Sequence, residues 1–428
     1  MVTPRARCGG VAVALMTGLS AVGPAQALEG YFQHGYGVRS SALAGAGVAD
    51  GRDATTTVLN PAGLVNTRDE ADLAIGVFSP TREFEGSGTP GLTPTGGVDS
   101  SKLYFLVPNS AFSYRMDPNP YIDVVGLSFY GNGADTSYPD IIRTDCLNGG
   151  SGMYCDGKAG VDLQQYFMTV AAAKTIAPGL SVGIGPIIGL QLFEAHGLAL
   201  FANVPDSPDT AWGIGVRGGV QWSVARDFRV GAQITSQVYM EAFSKYAPLL
   251  ANHADCDVPA NGQAGVAYDA NRNVTLMLDY QRINYGSIKC VANPADGATI
   301  GAPFGSPDGP AFGWHDINAF KVGLEWRNAT PGLTLRGGYS YNTRLFGSHD
   351  VSLDILAPAA SQNHLTAGGE YVLNRDWSME VSGLYAPQST VNGAELGPTS
   401  GHLIDVSTTQ WQVLVGLKYF YDPAIFSR

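Results

Sequence analysis

The chain has 428 residues, and 25 basic against 37 acidic residues give a formal charge of −12. That acidity excludes the cationic footprint of a nucleic-acid binder, and a hydrophobic share of 45% excludes a disordered chain. Charged residues are only 14% and glycines number 55, against usual shares of about 25% and about 7%. With 20 tyrosines, this composition points to a β-rich protein in an unusual solvent.

The first element reads as a secretory signal over residues 1–27. Arg5 and Arg7 form a positive start, Gly10 to Val22 an apolar stretch, and Ala25-Gln26-Ala27 an A-x-A cleavage site. The mature chain is then expected to begin at Leu28. Beyond it no apolar run approaches the ~18 residues of a membrane-spanning helix. An exported chain of this kind is either a soluble β protein or an outer-membrane barrel.

Residues 28–70 show no alternation. They are rich in small side chains, as in Ser41-Ala42-Leu43-Ala44-Gly45-Ala46-Gly47, and run on to Asn60-Pro61-Ala62-Gly63-Leu64. Pro61 fixes its own φ and steers Asn60 out of the helical region, so Asn60 suits the cap of a short helix with Pro61 at its first position.

From residue 71 to 428 the period is two. Fourteen strands are expected: Ala71–Ser79, Lys102–Met116, Tyr121–Asn132, Asp162–Thr175, Leu180–Glu194, Ala211–Val224, Phe228–Phe243, Gly262–Asp269, Val274–Ile288, Ile317–Arg327, Leu333–Thr343, Asn363–Leu373, Trp377–Pro387 and Thr408–Tyr421. Trp411, Val413, Val415, Leu417 and Tyr419 alternate with Gln410, Gln412, Leu414, Gly416 and Lys418. Phe320, Val322, Leu324 and Trp326 alternate with Lys321, Gly323, Glu325 and Arg327. Six short connections, such as Ala177–Gly179, take turns with seven long ones, such as Gly133–Val161. That regular alternation of tight turns and long loops predicts a fourteen-stranded antiparallel transmembrane β-barrel. Closure pairs every backbone group where no water reaches it. Arg229, Asp279, Lys321, Glu325, Arg336, Glu370 and Glu380 must then point inward. A lumen of fourteen strands is too wide for side chains alone to fill, since about eight strands suffice for that. Residues 28–70 are expected to plug it.

Cys8 leaves with the signal, and Cys146, Cys155, Cys256 and Cys290 remain. Four cysteines allow three pairings; Cys146 with Cys155 in one loop, and Cys256 with Cys290, is the expected set. Neither their spacing nor that of the seven histidines matches a metal site or a nucleophile motif. No cofactor, no metal and no enzymatic activity are expected.

The stretch Gly45-Ala46-Gly47-Val48-Ala49-Asp50, then Asp53-Ala54-Thr55 and Asn60-Pro61-Ala62-Gly63-Leu64, resembles the N-terminal hatch of the outer-membrane long-chain fatty-acid transporter family, which includes toluene and xylene uptake channels. Ile234–Val238 and Leu278–Gln281 resemble its strands more weakly. The resemblance implies an all-β fold, with a fourteen-stranded barrel plugged by a hatch. It further implies passive uptake of long-chain fatty acids or aromatic hydrocarbons, captured by outer loops, held in a lumen pocket and released sideways at a kinked strand. On that basis Asn60, Pro61 and Ala62 are the expected gating residues, and Gly126 and Gly131 the expected kink. Leu198, Leu200, Phe201, Tyr246, Leu249 and Leu250 are the expected ligand contacts, with Met240, Phe243, Tyr166 and Phe167 behind them. A fatty-acid head would look to Arg229, Lys321 or Arg336, although pairing with Asp279, Glu325, Glu370 or Glu380 is the expected role of those cations. The implied partners are a hydrophobic ligand, outer-membrane lipid and lipopolysaccharide, for a monomer of the Gram-negative outer membrane. A general porin and an outer-membrane hydrolase are the alternatives. The chain departs from the family in running on past Tyr421 to Arg428, and in its paired loop cysteines.

Overall fold

The computed structural model describes residues 29–116, 119–146, 149–298, 301–397 and 401–421. The expected signal peptide and the tail beyond Tyr421 lie outside the described residues. Fourteen long strands form one antiparallel sheet: β1 (Glu70–Gly88), β2 (Phe105–Arg115), β3 (Val124–Tyr138), β4 (Ala159–Ala177), β5 (Leu180–His196), β6 (Asp209–Ser223), β7 (Phe228–Thr235), β8 (Asn261–Asp269), β9 (Val274–Ile283), β10 (Ile317–Thr330), β11 (Leu333–Asn342), β12 (Asn363–Val372), β13 (Trp377–Ala394) and β14 (His402–Phe420). Each pairs with its neighbours in chain order, and β14 returns to β1 from Glu70↔Phe420 to Gly88↔His402, which closes the ring. Among the described residues, no helix is long and apolar enough to cross a membrane.

All fourteen expected strands are present, and the differences lie at their ends. β1 runs to Gly88 rather than Ser79, because Pro80 does not break it. Beyond Phe78↔Phe105 the β2 side of β1 is unpaired until a short strand, Gly96–Asp99, joins at Glu83–Gly86. A residue without an N–H is tolerated on such a free edge. β7 stops at Thr235 instead of reaching Phe243; Tyr239 and Met240 form a separate bridge to Ile214 and Gly213 of β6.

Alternation places the apolar set outward, with Ile214 and Ile234 about 70% exposed. Phe320, Val322, Leu324, Trp326, Val413 and Val415 belong to the same outer belt. A belt of that size is costly in water and matches a hydrocarbon solvent. The inner face carries Asp279, Lys321, Glu325, Arg336 and Glu380, all buried.

Those inner residues are buried because the leading segment fills the lumen. It contains α1 (Gly37–Ala42), α2 (Thr56–Leu59) and a 3-10 turn, Pro61–Asn66. Asn60 caps that turn as expected, with its side-chain oxygen accepting from Ala62 N at 3.1 Å and Pro61 at the first position. The high glycine content has its explanation here. A Cβ on Gly231 would sit 2.5 Å from Val48 O, and one on Gly338 would sit 2.5 Å from Leu43 C. Gly183 meets Pro61, Gly219 meets Asn60 and Gly416 meets Val38 in the same way. The wall is bare where the plug's backbone touches it. Gly338→Ala is expected to force the hatch off its seat at about 1–3 kcal/mol, a typical overpacking cost. The check is a lower unfolding temperature and faster cleavage of the hatch by protease.

Candidate functional site

The long-loop end of the barrel is capped by its own loops, which pack as one apolar cluster containing Tyr154, Leu198, Tyr246, Leu249, Leu250, Val291, Trp314, Phe346 and Leu356. Two disulfides hold the cap, Cys146–Cys155 and Cys256–Cys290, which is the expected pairing. The second ties the loop after β7 to the loop after β9.

Under the cap lie two small cavities that share Val161, Leu250, Cys290 and Phe312. The inner one, of about 50 Å³, is walled by Tyr31 of the hatch, Phe193, Phe243 and Trp314, among others. The outer one, of about 30 Å³, is lined by Leu198, Phe201, Leu249, Leu250 and Phe304, among others. Four of the six expected ligand contacts are therefore cavity walls. Leu200 is 57% exposed and lines neither. Tyr246 is fully buried, but its hydroxyl accepts from Ala195 N and bonds the carbonyls of Pro205 and Ser207, so it ties loops together. Phe243 is a wall of the inner cavity, whereas Phe167 stacks on Tyr130 and Tyr166 bonds Gln164.

Beside these cavities the barrel wall is open. The β2–β3 ladder runs from Arg115↔Val124 to Ser110↔Phe129 and stops. The two segments meet again at Ser100–Lys102, where Ser101 N donates to Ser137 O at 2.7 Å and Lys102 pairs with Asp135 at 2.8 Å. Between those points β2 remains paired with β1 and β3 with β4. Residues Val124–Phe129 alternate in burial, but from Tyr130 to Tyr138 both faces of β3 are buried. The strand has turned into the lumen.

The hatch supplies the bonds that β2 no longer makes. Gly133 N donates to Tyr31 O at 3.1 Å, Gln33 N to Asn132 Oδ1 at 3.3 Å, and the Gln33 amide to Gly131 O. Tyr36 donates its hydroxyl to Asn132 at 3.1 Å and packs edge-on against Tyr130. Of the two glycines expected at the kink, Gly131 lies one residue past the first unpaired position. Gly126 lies inside the regular ladder, where a Cβ would strike Thr57 and Leu64; it makes room for the hatch. Ala134 of the turned-in stretch is also a wall of the inner cavity. On the lumen side of the opening a pocket the size of one water is lined by Tyr36, Asn109, Phe129 and Tyr130, among others.

The opposite, short-turn end is polar. A wide mouth of about 850 Å³ is lined by Arg39, Asp50, Arg52, Arg229, Glu325 and Arg336, among others. The cations considered for a fatty-acid head are occupied there and at the hatch. Arg229 pairs with Asp50 and Asp269, Lys321 with Glu29 at 3.0 Å, and Arg336 with Glu325, Glu370 and Glu380. Pairing was the expected role, but two of the partners, Glu29 and Asp50, come from the hatch. Asp279 is not a cation's partner: its Oδ2 accepts Gly47 N and Val48 N at 2.8 Å, and so seats the hatch backbone. Asn60 donates to Val48 O at 2.7 Å and Val220 O at 3.1 Å, which joins hatch to hatch and hatch to wall.

Sequence reasoning missed Tyr31, Trp314, Gln191 and Asp257 as cavity residues. They are spread over residues 31–314 and lie in segments with no local motif. Among the described residues, no group of three or more His, Cys, Asp or Glu side chains is placed to hold a metal.

The sequence matches no family model and no curated protein. Solved structures do resemble it. The Pseudomonas putida toluene transporter TodX superposes with a TM-score of 0.65 at 16% identity, over 91% of this chain and 99% of that one. A Pseudomonas aeruginosa FadL homologue gives 0.66 at 12% identity, over 92% and 100%. The Ralstonia pickettii toluene transporter TbuX gives 0.59 at 19% identity, over 91% and 99%. The chain has the fold of these proteins.

Proposed function

We propose that this protein is an outer-membrane channel for passive uptake of hydrophobic small molecules, a member of the fatty-acid and aromatic-hydrocarbon transporter family. The observation that carries this reading is the opening between β2 and β3 behind an apolar cavity. Ligand enters from the loop cap, rests in the cavity against Tyr31 and Trp314, and leaves sideways into the membrane's hydrocarbon. The polar sugar layer of the outer leaflet blocks such molecules, so a passage past that layer is sufficient and diffusion drives it. Asn60, Pro61 and Ala62 hold the hatch in register and act as its gating point.

Asn60→Ala removes the groups behind three hydrogen bonds, each worth about 1 kcal/mol. It is expected to slow uptake of a labelled hydrophobe into cells while the barrel still assembles. Unchanged uptake would count against the gating role.

The hatch argues against a general porin, since Arg39, Asp50 and Glu325 bridge plug and wall across the lumen. In planar bilayers the protein is expected to show no large, steady ohmic steps. If such steps appear and cells expressing the chain take up no more hydrophobe than cells without it, the porin reading replaces this one. The neighbours are transporters rather than hydrolases, which supports a role without catalysis.

A further inference from the structure

Besides the Tyr31 phenol and the Trp314 indole, the inner cavity carries three polar side chains. Gln191 on β5 is 1% exposed, and among the described residues neither its Oε1 nor its Nε2 has a hydrogen-bond partner. Gln165 stands opposite it on β4, is equally buried, and also has an unpartnered Oε1. A buried amide without partners is a cost that a bound polar group removes. The third side chain is Asp257. It accepts from Met240 N and the Gln237 amide but forms no ion pair among the described residues. Among the described residues it is the one charged side chain lining either cavity, and no Lys or Arg lines them. Asp257 shares the cavity wall with Tyr31, whose phenol burial first and Asp257 second push well above its ordinary value.

These groups define a head-group filter. A carboxylate entering the cavity would meet a second negative charge in a weakly screened space, with no cation to offset it. A pure hydrocarbon would leave the Gln191 amide unsatisfied. An uncharged oxygen can accept from its Nε2, and a hydroxyl can also donate to its Oε1. We propose that the cavity selects neutral hydrophobes carrying one hydroxyl or carbonyl, held by Gln191, and that Asp257 excludes carboxylates. This deepens the uptake reading and rests on it.

The test is a calorimetric titration of the purified full chain with toluene, benzyl alcohol and benzoate, which share one ring and one exocyclic carbon and differ in the head. Benzyl alcohol is expected to bind about tenfold more tightly than toluene, the effect of one or two satisfied hydrogen bonds, and benzoate more weakly than either. Gln191→Leu should erase the advantage of the alcohol over toluene, and Gln191→Met serves as the second variant if the first does not fold. Asp257→Asn should raise benzoate affinity and leave toluene unchanged. The filter is overturned if benzoate binds the native chain as tightly as benzyl alcohol, or if a folded Gln191 variant keeps the alcohol's advantage. If none of the three binds the native chain, the uptake reading itself fails.

Discussion

A single bulky group placed in the wall opening is expected to stop uptake. All four cysteines of the loops are in disulfides, so Asn109→Cys introduces a unique thiol. Asn109 lines the small pocket at the opening together with Tyr130, and its amide reaches Gln33 of the hatch at 3.4 Å. Labelling with pyrene maleimide should obstruct the opening and bring proteoliposome uptake of a hydrophobe down to the protein-free level, whereas the unlabelled variant transports. Ser223→Cys, exposed at the short-turn end of β6, is the control, and its labelling should change nothing. The effect is large because the β2–β3 ladder ends at Ser110↔Phe129 while β3 itself runs on to Tyr138. Along a paired ladder a ligand would have to break hydrogen bonds that hydrocarbon cannot replace. If the labelled Asn109→Cys protein transports at the native rate, ligand passes through the hatch toward the polar mouth instead.

The second large effect is expected on stability, at Arg336. Its guanidinium reaches three carboxylates: Nε to Glu325 at 3.0 Å, one terminal nitrogen to Glu380 at 3.0 Å, and the other to Glu370 at 2.6 Å. Arg39 of the hatch binds the same Glu325 at 2.9 Å, so the plug is fastened to the wall through a shared acid. Arg336→Ala leaves those buried acids short of counter-charge. Breaking a buried ion pair costs about 3–5 kcal/mol, and the shared partners put this site at the upper end. Urea unfolding in micelles should show that loss. Arg336→Lys should not restore it, because a single ammonium cannot span three acids fixed on β10, β12 and β13. A variant that unfolds at the native urea concentration would show that Arg39 and Lys418 suffice alone.

The barrel was legible because its causes are local. A strand with one face in hydrocarbon must alternate, and the runs through Phe320–Trp326 and Trp411–Tyr419 do so residue by residue. The order of short and long connections then fixed which strands are neighbours. The ends of β1 and β7 were not legible. Pro80 marks a break by ordinary chain rules, and only the free edge beyond Phe78 lets it stand within a strand. In β7 the pattern runs on toward Phe243, but Val238 leaves to bridge Val258.

The site divides in the same way. Asn60-Pro61 shows its cap in two adjacent residues, and the apolar loop segments around Leu198 and Leu249 show that something greasy gathers there. The sequence by itself determined the alternating strands, their number and a plug of small residues, because each follows from spacing along the chain. Gly131 hinted at the bend, but tertiary structure decided how far the wall opens, since a ladder ends when two strands diverge and nothing in either strand records the partner it has lost. It also decided which side chains meet in the cavity. Tyr31, Gln191, Asp257 and Trp314 become neighbours only when the ring closes around its plug, and their chemistry depends on that shared burial.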